Sequence, residues 1–271
     1  MRIAWLFFFV GILAAPTVSA TCEYRPEWRG TDTASYVADA RVCLEELKDG
    51  FWVDEAVEEE VFDRVNAARR DAGLEPLELR EGLLPAARLH SFDMGQDWFF
   101  DHKGPDGRSV SDRVAALDRR LMHSEVRENI AQIKGDFDWS ETGEILHNIL
   151  FNSDGHRENM LAPRLTHMAM GIVRTEDGAW ITQVFVRKEG ELERDAPLST
   201  PASLSVLPAA RLSDWAYRET RLLAGEEELA VGGKPSDYRG DGQVLVVGTR
   251  PIDELQYEII NLIGPSVTVT D

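Results

Sequence analysis

The chain has 271 residues, 43% of them hydrophobic, which suffices for one large buried core or for a core with a smaller attachment. Its 48 acidic and 29 basic side chains give a formal net charge of −19. A surface so acidic repels nucleic acid and anionic lipid headgroups, and it suits solubility and cation attraction.

The first twenty residues carry a targeting pattern. Met1-Arg2 precedes the apolar run Ile3 to Ala15, and the segment closes on the small residues Val18-Ser19-Ala20. This predicts a cleaved signal peptide over residues 1–20, with the cut after Ala20, and a secreted or periplasmic protein. The run is short of the ~20 apolar residues a membrane span needs, and no later stretch reaches that length. Cys22 stands close to the cut, which raises a lipid anchor as an alternative, but Ser19-Ala20-Thr21 lacks the aliphatic residue such a site uses. Cys22 and Cys43 are the two cysteines of the chain, and an even count in an exported protein reads as one disulfide.

An N-terminal arm over 21–53 carries a predicted helix near 33–48, where Tyr36, Ala40, Cys43 and Leu47 recur at helical spacing. A second helix starts at Asp54 as N-cap, runs along Val57, Val61, Val65 and Ala68, and stops at Gly73. A third begins near Glu81 and places Leu83, Ala87, His90 and Met94 on one face before Trp98-Phe99-Phe100. Gly and Pro then impose a loop on Asp101 to Gly107. A fourth helix takes Asp138 as N-cap with Glu141 three residues on. After Pro163 the period changes to two: Met168 to Val173, a turn at Thr175 to Gly178, and Trp180 to Val186 form a hairpin whose two faces are both apolar, as in a sheet covered on both sides. The main domain is expected at 54–190 and a linker at 191–203. Residues 204–271 read as a small β-rich appendage with short strands near 204–207, 215–223, 228–231, 244–247 and 267–270. Its Arg239-Gly240-Asp241 tripeptide is short enough to recur by chance.

The sequence contains no HExxH, G-x-S-x-G, Walker A, Rossmann glycine or CxxC pattern. Three groups remain: His102 in the Gly/Pro loop, Glu128 in Arg127-Glu128-Asn129-Ile130-Ala131, and His156 in Asn152-Ser153-Asp154-Gly155-His156-Arg157. Spacing alone does not require them to meet. On that ground each histidine satisfies a buried backbone group and Glu128 caps a turn. His90 reads as a core histidine, His123 and His147 as solvent-facing, and His167 as fixing the start of a strand. Arg113 and Arg157 are candidates to support loops through carboxylate pairs.

The order of the pieces carries more than any one of them. Asn66 to Arg69, Gly73 to Leu77, Ala86 to Ser91, Phe100-Asp101-His102, Pro105-Asp106-Gly107, Glu128 to Ala131, Asn152 to Leu161 and Thr166-His167 together resemble the CAP superfamily, whose SCP domain occurs in cysteine-rich secretory proteins, antigen 5 and pathogenesis-related class 1 proteins. The resemblance covers about residues 55–188, and the Asn-Ser-x-Gly-His-Arg form is similar to the bacterial branch. It implies an α+β fold, a three-layer α-β-α sandwich with a central cleft, here followed by the all-β appendage. It also implies that His102 and His156 are the two cleft histidines and Glu128 the acid, with Asn129, Asn152 and Ser153 beside them. Ser153 stands where eukaryotic members carry a second acid, which weakens any transfer of acid/base chemistry.

Two imidazoles and a carboxylate suit a weakly bound divalent metal such as zinc, with His102, His156 and Glu128 as ligands. The same cluster suits recognition of an anionic or hydroxylated ligand. The leading expectation is a binding cleft for a small lipid-like or envelope-derived ligand, without catalysis. The alternatives are a metal-assisted hydrolase with Glu128 as base, and an adhesion module anchored through the C-terminal segment.

Overall fold

The computed structural model describes Cys22 and residues 32–97, 99–135, 138–201, 207–224, 227–229, 237–253 and 255–270. The signal segment 1–20, Trp98, residues 202–203 of the expected linker, residues 204–206 of the strand expected at 204–207 and residues 230–231 of the strand expected at 228–231 lie outside the described residues. In chain order the elements are α1 (Thr33–Glu45), β1 (Trp52–Val53), α2 (Glu55–Asp71), β2 (Glu78–Leu79), α3 (Leu84–Asp97), α4 (Val110–Leu117), β3 (Leu121–Lys134), α5 (Thr142–Phe151), α6 (Asp154–Met160), β4 (His167–Arg174) and β5 (Gly178–Leu192). The C-terminal part adds β6 (Ser199–Pro201), β7 (Ala210–Leu212), β8 (Ala216–Ala224), β9 (Glu227–Leu229), β10 (Gly240–Pro251) and β11 (Tyr257–Thr270).

Helix α2 starts where Asp54 accepts the Val57 N–H at 3.2 Å, and its chain reverses at Gly73, whose φ of 72° is the left-handed conformation that favours glycine. Two short 3₁₀ turns, Glu81–Leu83 and Trp139–Glu141, lead into α3 and α5. Asp138 caps the second turn and not the α-helix itself. Strands β4 and β5 form the expected hairpin, antiparallel with Ile172 opposite Ile181, and β3 lies on the far side of β5 with Glu128 opposite Val184.

Alternation along these strands builds two cores. Met168, Met170, Ile172, Ile181 and Phe185 face Val61 and Val65 of α2, Leu146 and Leu150 of α5 and Met160 of α6. The opposite face presents Ala169, Val184 and Val186 to Ala86, Ala87 and Val114, and Val173 to Leu89 and Phe92. Each fully buried Leu, Met or Phe contributes about 1.5–3 kcal/mol, so neither layer can be shed without loss of the fold. Helix α3 lies so close to β4 that a Cβ at Gly171 would collide with the backbone of Ala87 and Arg88. The α-β-α sandwich follows.

Two buried polar groups fix the helices at the sheet's ends. Asn66 exchanges hydrogen bonds with the backbone of Leu77, at 3.0 and 2.8 Å. Arg69, 1% exposed, donates to the carbonyls of Glu75, Met160 and Ala162 and thereby holds the end of α6 to α2.

The C-terminal strands continue the same sheet in the order β1-β4-β5-β3-β11-β10-β8-β9. The segment expected to be a linker is largely structured: β5 runs on to Leu192, Ala196 is buried, and β6 pairs parallel with the end of β11. Met122 and Leu192 from the sandwich share one hydrophobic cluster with Leu222, Val244, Val246, Leu262, Val267 and Val269. The N-terminal arm closes over this seam. Cys22 and Cys43 are disulfide-bonded, and Thr33 donates its N–H to Asp241 at 2.8 Å and its hydroxyl to Ser266 at 2.7 Å. Asp241, the acid of the Arg-Gly-Asp tripeptide, is thus occupied within the fold.

Candidate functional site: a histidine cleft at the edge of the sandwich

The dipeptide Glu128-Asn129 lies on β3, where adjacent side chains point to opposite faces of the sheet. Glu128 faces the layer of α3 and α4, and Asn129 faces the layer of α5 and α6. One short stretch of strand therefore supports both sides of the candidate cleft expected between His102 and His156, which lie close enough for the charge of His102 to act on His156.

On the first wall, His102 projects from the Gly/Pro loop. The loop is tied down from behind, with His90 Nε2 on the Asp101 carbonyl at 3.0 Å. Gly107, at φ 83°, makes its turn. Helix α4 then begins with a capping box between Ser109 and Asp112. It brings Arg113 under the loop, where Nη1 donates to the carbonyls of His102 at 3.1 Å and Arg108 at 2.9 Å. Nη2 of the same guanidinium binds Glu128 Oε2, and His102 Nδ1 donates to Glu128 Oε1 at 2.8 Å. The side chains of Arg113 and Glu128 are 3% and 2% exposed, while that of His102 is 56% exposed. A buried cation and anion thus stand behind a histidine that reaches solvent.

On the second wall, Asn129 Nδ2 donates to the His156 carbonyl at 3.0 Å and to Gln183 Oε1 at 3.1 Å. Asn159 Nδ2 donates to Asn129 Oδ1 at 2.9 Å and to the Glu128 carbonyl at 3.2 Å. These bonds seat α6 on the strand and set the position of His156, whose Nδ1 is buried without a hydrogen-bond partner. Asn152 and Ser153 form the junction of α5 and α6, one turn before His156, and Ser153 is an N-cap whose side chain makes no capping bond. Arg157 pairs with Asp154 and donates to the Phe151 carbonyl at 3.0 Å.

The charges of the site follow from these contacts. The hydrogen bond to Glu128 raises the pKa of His102 against the opposing effect of burial. Burial pushes Glu128 upward, but the His102 bond and the Arg113 charge outweigh it and hold the carboxyl below its usual range. Burial lowers His156, and the charge of His102 lowers it further. The cleft therefore pairs a histidine that favours its cationic form with one that favours its neutral form.

Among the described residues no group of three or more His, Cys, Asp or Glu side chains is arranged to hold a metal ion. The trio itself shows the reason. Glu128 is withdrawn from solvent, with one oxygen on a guanidinium and the other on the Nδ1 edge of His102, so it does not complete a ligand shell with His102 Nε2 and His156.

Three histidines outside the cleft have definite places. His90 is a core residue, fully buried, with its pKa lowered by burial to about 4. His123 and His147, expected to face solvent, are 3% and 7% exposed. His123 lies on β3 at the seam with β11, opposite Ile263, and neither ring nitrogen has a partner. His147 stacks on Phe151 with ring centroids 5.4 Å apart. Their polar sequence neighbours misled because the ring of each is turned inward by its strand or helix. Arg113 and Asn159 complete the site; the capping signal Ser109-x-x-Asp112 and the asparagine following His156-Arg157-Glu158 were the cues to them.

Residues 62–185 match the cysteine-rich secretory protein family, CAP. The chain carries a CAP domain. Over 133 residues, 49% of this chain and 48% of the relative, the match is 37% identical to the uncharacterized protein YkwD of Bacillus subtilis. A second match, 28% identical over 131 residues, is to the uncharacterized membrane protein YlbC of the same organism, of which it covers 34%. This chain thus spans at most about half the length of these curated relatives. Among solved structures, an extracellular protein containing an SCP domain from Bacillus anthracis aligns at TM-score 0.41 with 26% identity, covering 50% of this chain and 41% of that one. An outer surface protein from Borrelia burgdorferi aligns at TM-score 0.42 with 14% identity, covering 50% of this chain and 95% of that one. The CAP match stops at residue 185, so β6 to β11 lie beyond it. Among the described residues no helix is long and apolar enough to cross a membrane.

Proposed function

We propose that this is an exported CAP-domain protein whose cleft binds the anionic or hydroxylated group of a small envelope-derived molecule, a lipid headgroup or a wall fragment. The observation that carries the reading is the Arg113–Glu128–His102 chain. It spends two buried charges on orienting one exposed ring, fixes Nδ1 inward and leaves Nε2 for the cleft. An imidazolium so held is a directed donor to a carboxylate, phosphate or hydroxyl, and the neutral His156 opposite supplies an acceptor or a second donor.

A charge-assisted hydrogen bond contributes about 1.5–3 kcal/mol, so His102→Ala should weaken binding by roughly 10- to 150-fold. The test is to extract protein purified from its natural envelope, identify co-purified lipid and wall fragments by mass, and titrate each back by calorimetry. Affinity should fall as pH rises through the raised pKa of His102. Binding unaffected by both His102→Ala and pH would overturn the proposal.

The same geometry favours one form of the second reading, a hydrolase. A carboxylate on Nδ1 is the arrangement that prepares a histidine for acid/base work, so His102, with Glu128 orienting it, would act as base. Were a divalent metal to bind instead, the two imidazoles would hold it as ligands, His102 would no longer be a base, and the metal would supply an activated water. Metal content of native and His102→Ala protein, with turnover of peptide and wall substrates, distinguishes this reading from binding alone.

A further inference from the structure

Among the described residues eleven large hydrophobic side chains stand exposed, and five of them, Ile252, Leu255, Tyr257, Ile259 and Ile263, fall within one stretch of twelve residues. That stretch is the tip of the β10–β11 hairpin and the first half of β11. Soluble chains keep such patches small unless something covers them.

The pairing of the strands explains the exposure. β8 accompanies β10 as far as Ala216 opposite Thr249, and beyond that point the ribbon has two strands. Side chains alternate along β11, so Ile260 and Leu262 turn to the cluster shared with Met122 and Leu192, while Tyr257, Ile259, Asn261 and Ile263 share the outer face. Ile259 is 66% exposed.

The same segment has an open edge. β11 meets β3 at one ladder position, Ile263 opposite His123, and meets β6 at Thr268 to Thr270. From Tyr257 to Leu262 its ladder partners among the described residues all lie on β10. A row of backbone N–H and C=O groups without ladder partners thus runs beside a row of apolar side chains, and the combination decides what fits. A lipid bilayer buries apolar groups but offers the backbone no partner. The exposed acids Asp253 and Glu258 at the same tip, in a chain of net charge −19, also oppose an anionic membrane surface. Another extended strand satisfies both rows.

We infer that this edge pairs with the same edge of a second copy, antiparallel about a twofold axis at Ile259, so that one sheet continues across a homodimer. Charge selects the second copy as the occupant. Two chains this acidic repel each other over most of their surface, but the row Tyr257, Ile259 and Asn261 is uncharged, and Glu258 on the other face is paired with Arg250. Arg218, whose guanidinium lies 6.0 Å from the centre of the Tyr257 ring, flanks that row. The twofold sets the two Tyr257 side chains four residues, about 13 Å, apart along the sheet, so the two guanidinium groups do not meet. In this register Ile259 faces its own counterpart and Tyr257 faces Asn261. With the axis at Ile260 instead, Tyr257 would have to meet Ile263, whose edge is held by His123. A strand edge of this length buries less than about 1,200 Å², which makes a weak, concentration-dependent dimer.

The test is sedimentation velocity of the full chain over a concentration series at low and high salt. A monomer–dimer equilibrium is expected, strengthened by salt as the repulsion of the two acidic chains is screened. Ile259→Lys should weaken the dimer at least tenfold and leave the melting temperature unchanged, because that side chain is exposed. Leu79→Lys, the same change at an exposed apolar residue elsewhere, and His102→Ala should leave the dimer intact. On oxidation Ile259→Cys should form an intermolecular disulfide, and Ile260→Cys should not. A monomer at every concentration, a dimer indifferent to Ile259→Lys, equal weakening by Leu79→Lys, or crosslinking through Ile260→Cys and not Ile259→Cys would overturn the inference. Binding of monomeric protein to phosphatidylcholine vesicles, lost in Ile259→Lys, would overturn it in favour of a lipid surface.

Discussion

Replacing Arg113 by Met tests whether the histidine cleft rests on a buried ion pair. The substitution keeps the volume of the side chain and removes its charge. It leaves Glu128, whose side chain is 2% exposed, with His102 as its remaining partner. Removing one member of a buried pair costs about 3–5 kcal/mol, and the two carbonyls that lose Arg113, those of His102 and Arg108, add about 0.5–1.5 kcal/mol each. His102, cationic on the other oxygen, recovers part of this, so a loss of about 3–4 kcal/mol is expected. At roughly 2–4 °C per kcal/mol for a domain of this size, the melting temperature should fall by about 6–16 °C. The double variant Arg113→Met with Glu128→Leu should be more stable than Arg113→Met, since it leaves no buried charge. Thermal unfolding of the four proteins in a mutant cycle reads the coupling directly. A single variant within about 1 kcal/mol of the parent would show that the pair is not what organises this wall.

Further expectations follow from the titrating groups and the seam. NMR titration should find the pKa of His102 above 6.5, and Glu128→Gln should lower it. Because the folded value is raised, its stabilising contribution is complete below the unfolded pKa and fades as pH rises through the folded one. His90 and His123 have the opposite sign. Each falls from 6.5 to about 4 through burial, so stability should decline as pH drops from 6.5 toward 4, by an order of magnitude of 3 kcal/mol per group. His123→Phe should flatten that decline measurably in urea melts at graded pH, and an unchanged slope would refute the assignment. A chain truncated after residue 190 should expose Met122, lose stability and bind hydrophobic dyes, while residues 204–271 alone should not melt cooperatively, because their core includes side chains from the sandwich.

Much of this fold could be read where local chemistry and global structure agree. Asp54, the stripe through Val61 and Val65, and Gly73 delimit α2 because cap, core face and stop all act within one element. The β4–β5 hairpin was legible because Met170 and Ile172 are buried on one face of β4 and Ala169 and Val173 on the other. Strand β3 was not recognised as a strand. Its central residues Glu125 to Asn129 follow no hydrophobic alternation, since their side chains serve the cleft and its polar supports. Helix α4 is eight residues long, so its apolar stripe of Val110, Val114 and Leu117 spans barely two turns, and its capping box is the other local signal that announces it. The cleft was legible as a set of residue types in order, and its inner logic was not. That Glu128 is turned away from solvent, between Arg113 and His102, depends on the direction of a strand that the sequence did not reveal.

The N-terminal latch has a consequence for when the fold can be completed. Thr33 and Ala34 bond to Asp241, Ser266 and Thr268, partners 208 to 234 residues downstream. Contacts of such separation are slow to form and cannot exist until the late strands have been made. Helix α1, though among the first elements synthesised, has no final seat until β10 and β11 are in place. The start of α1 is therefore sealed by the last strands of the fold, and a nascent chain stopped anywhere before residue 266 lacks part of the surface on which that helix rests.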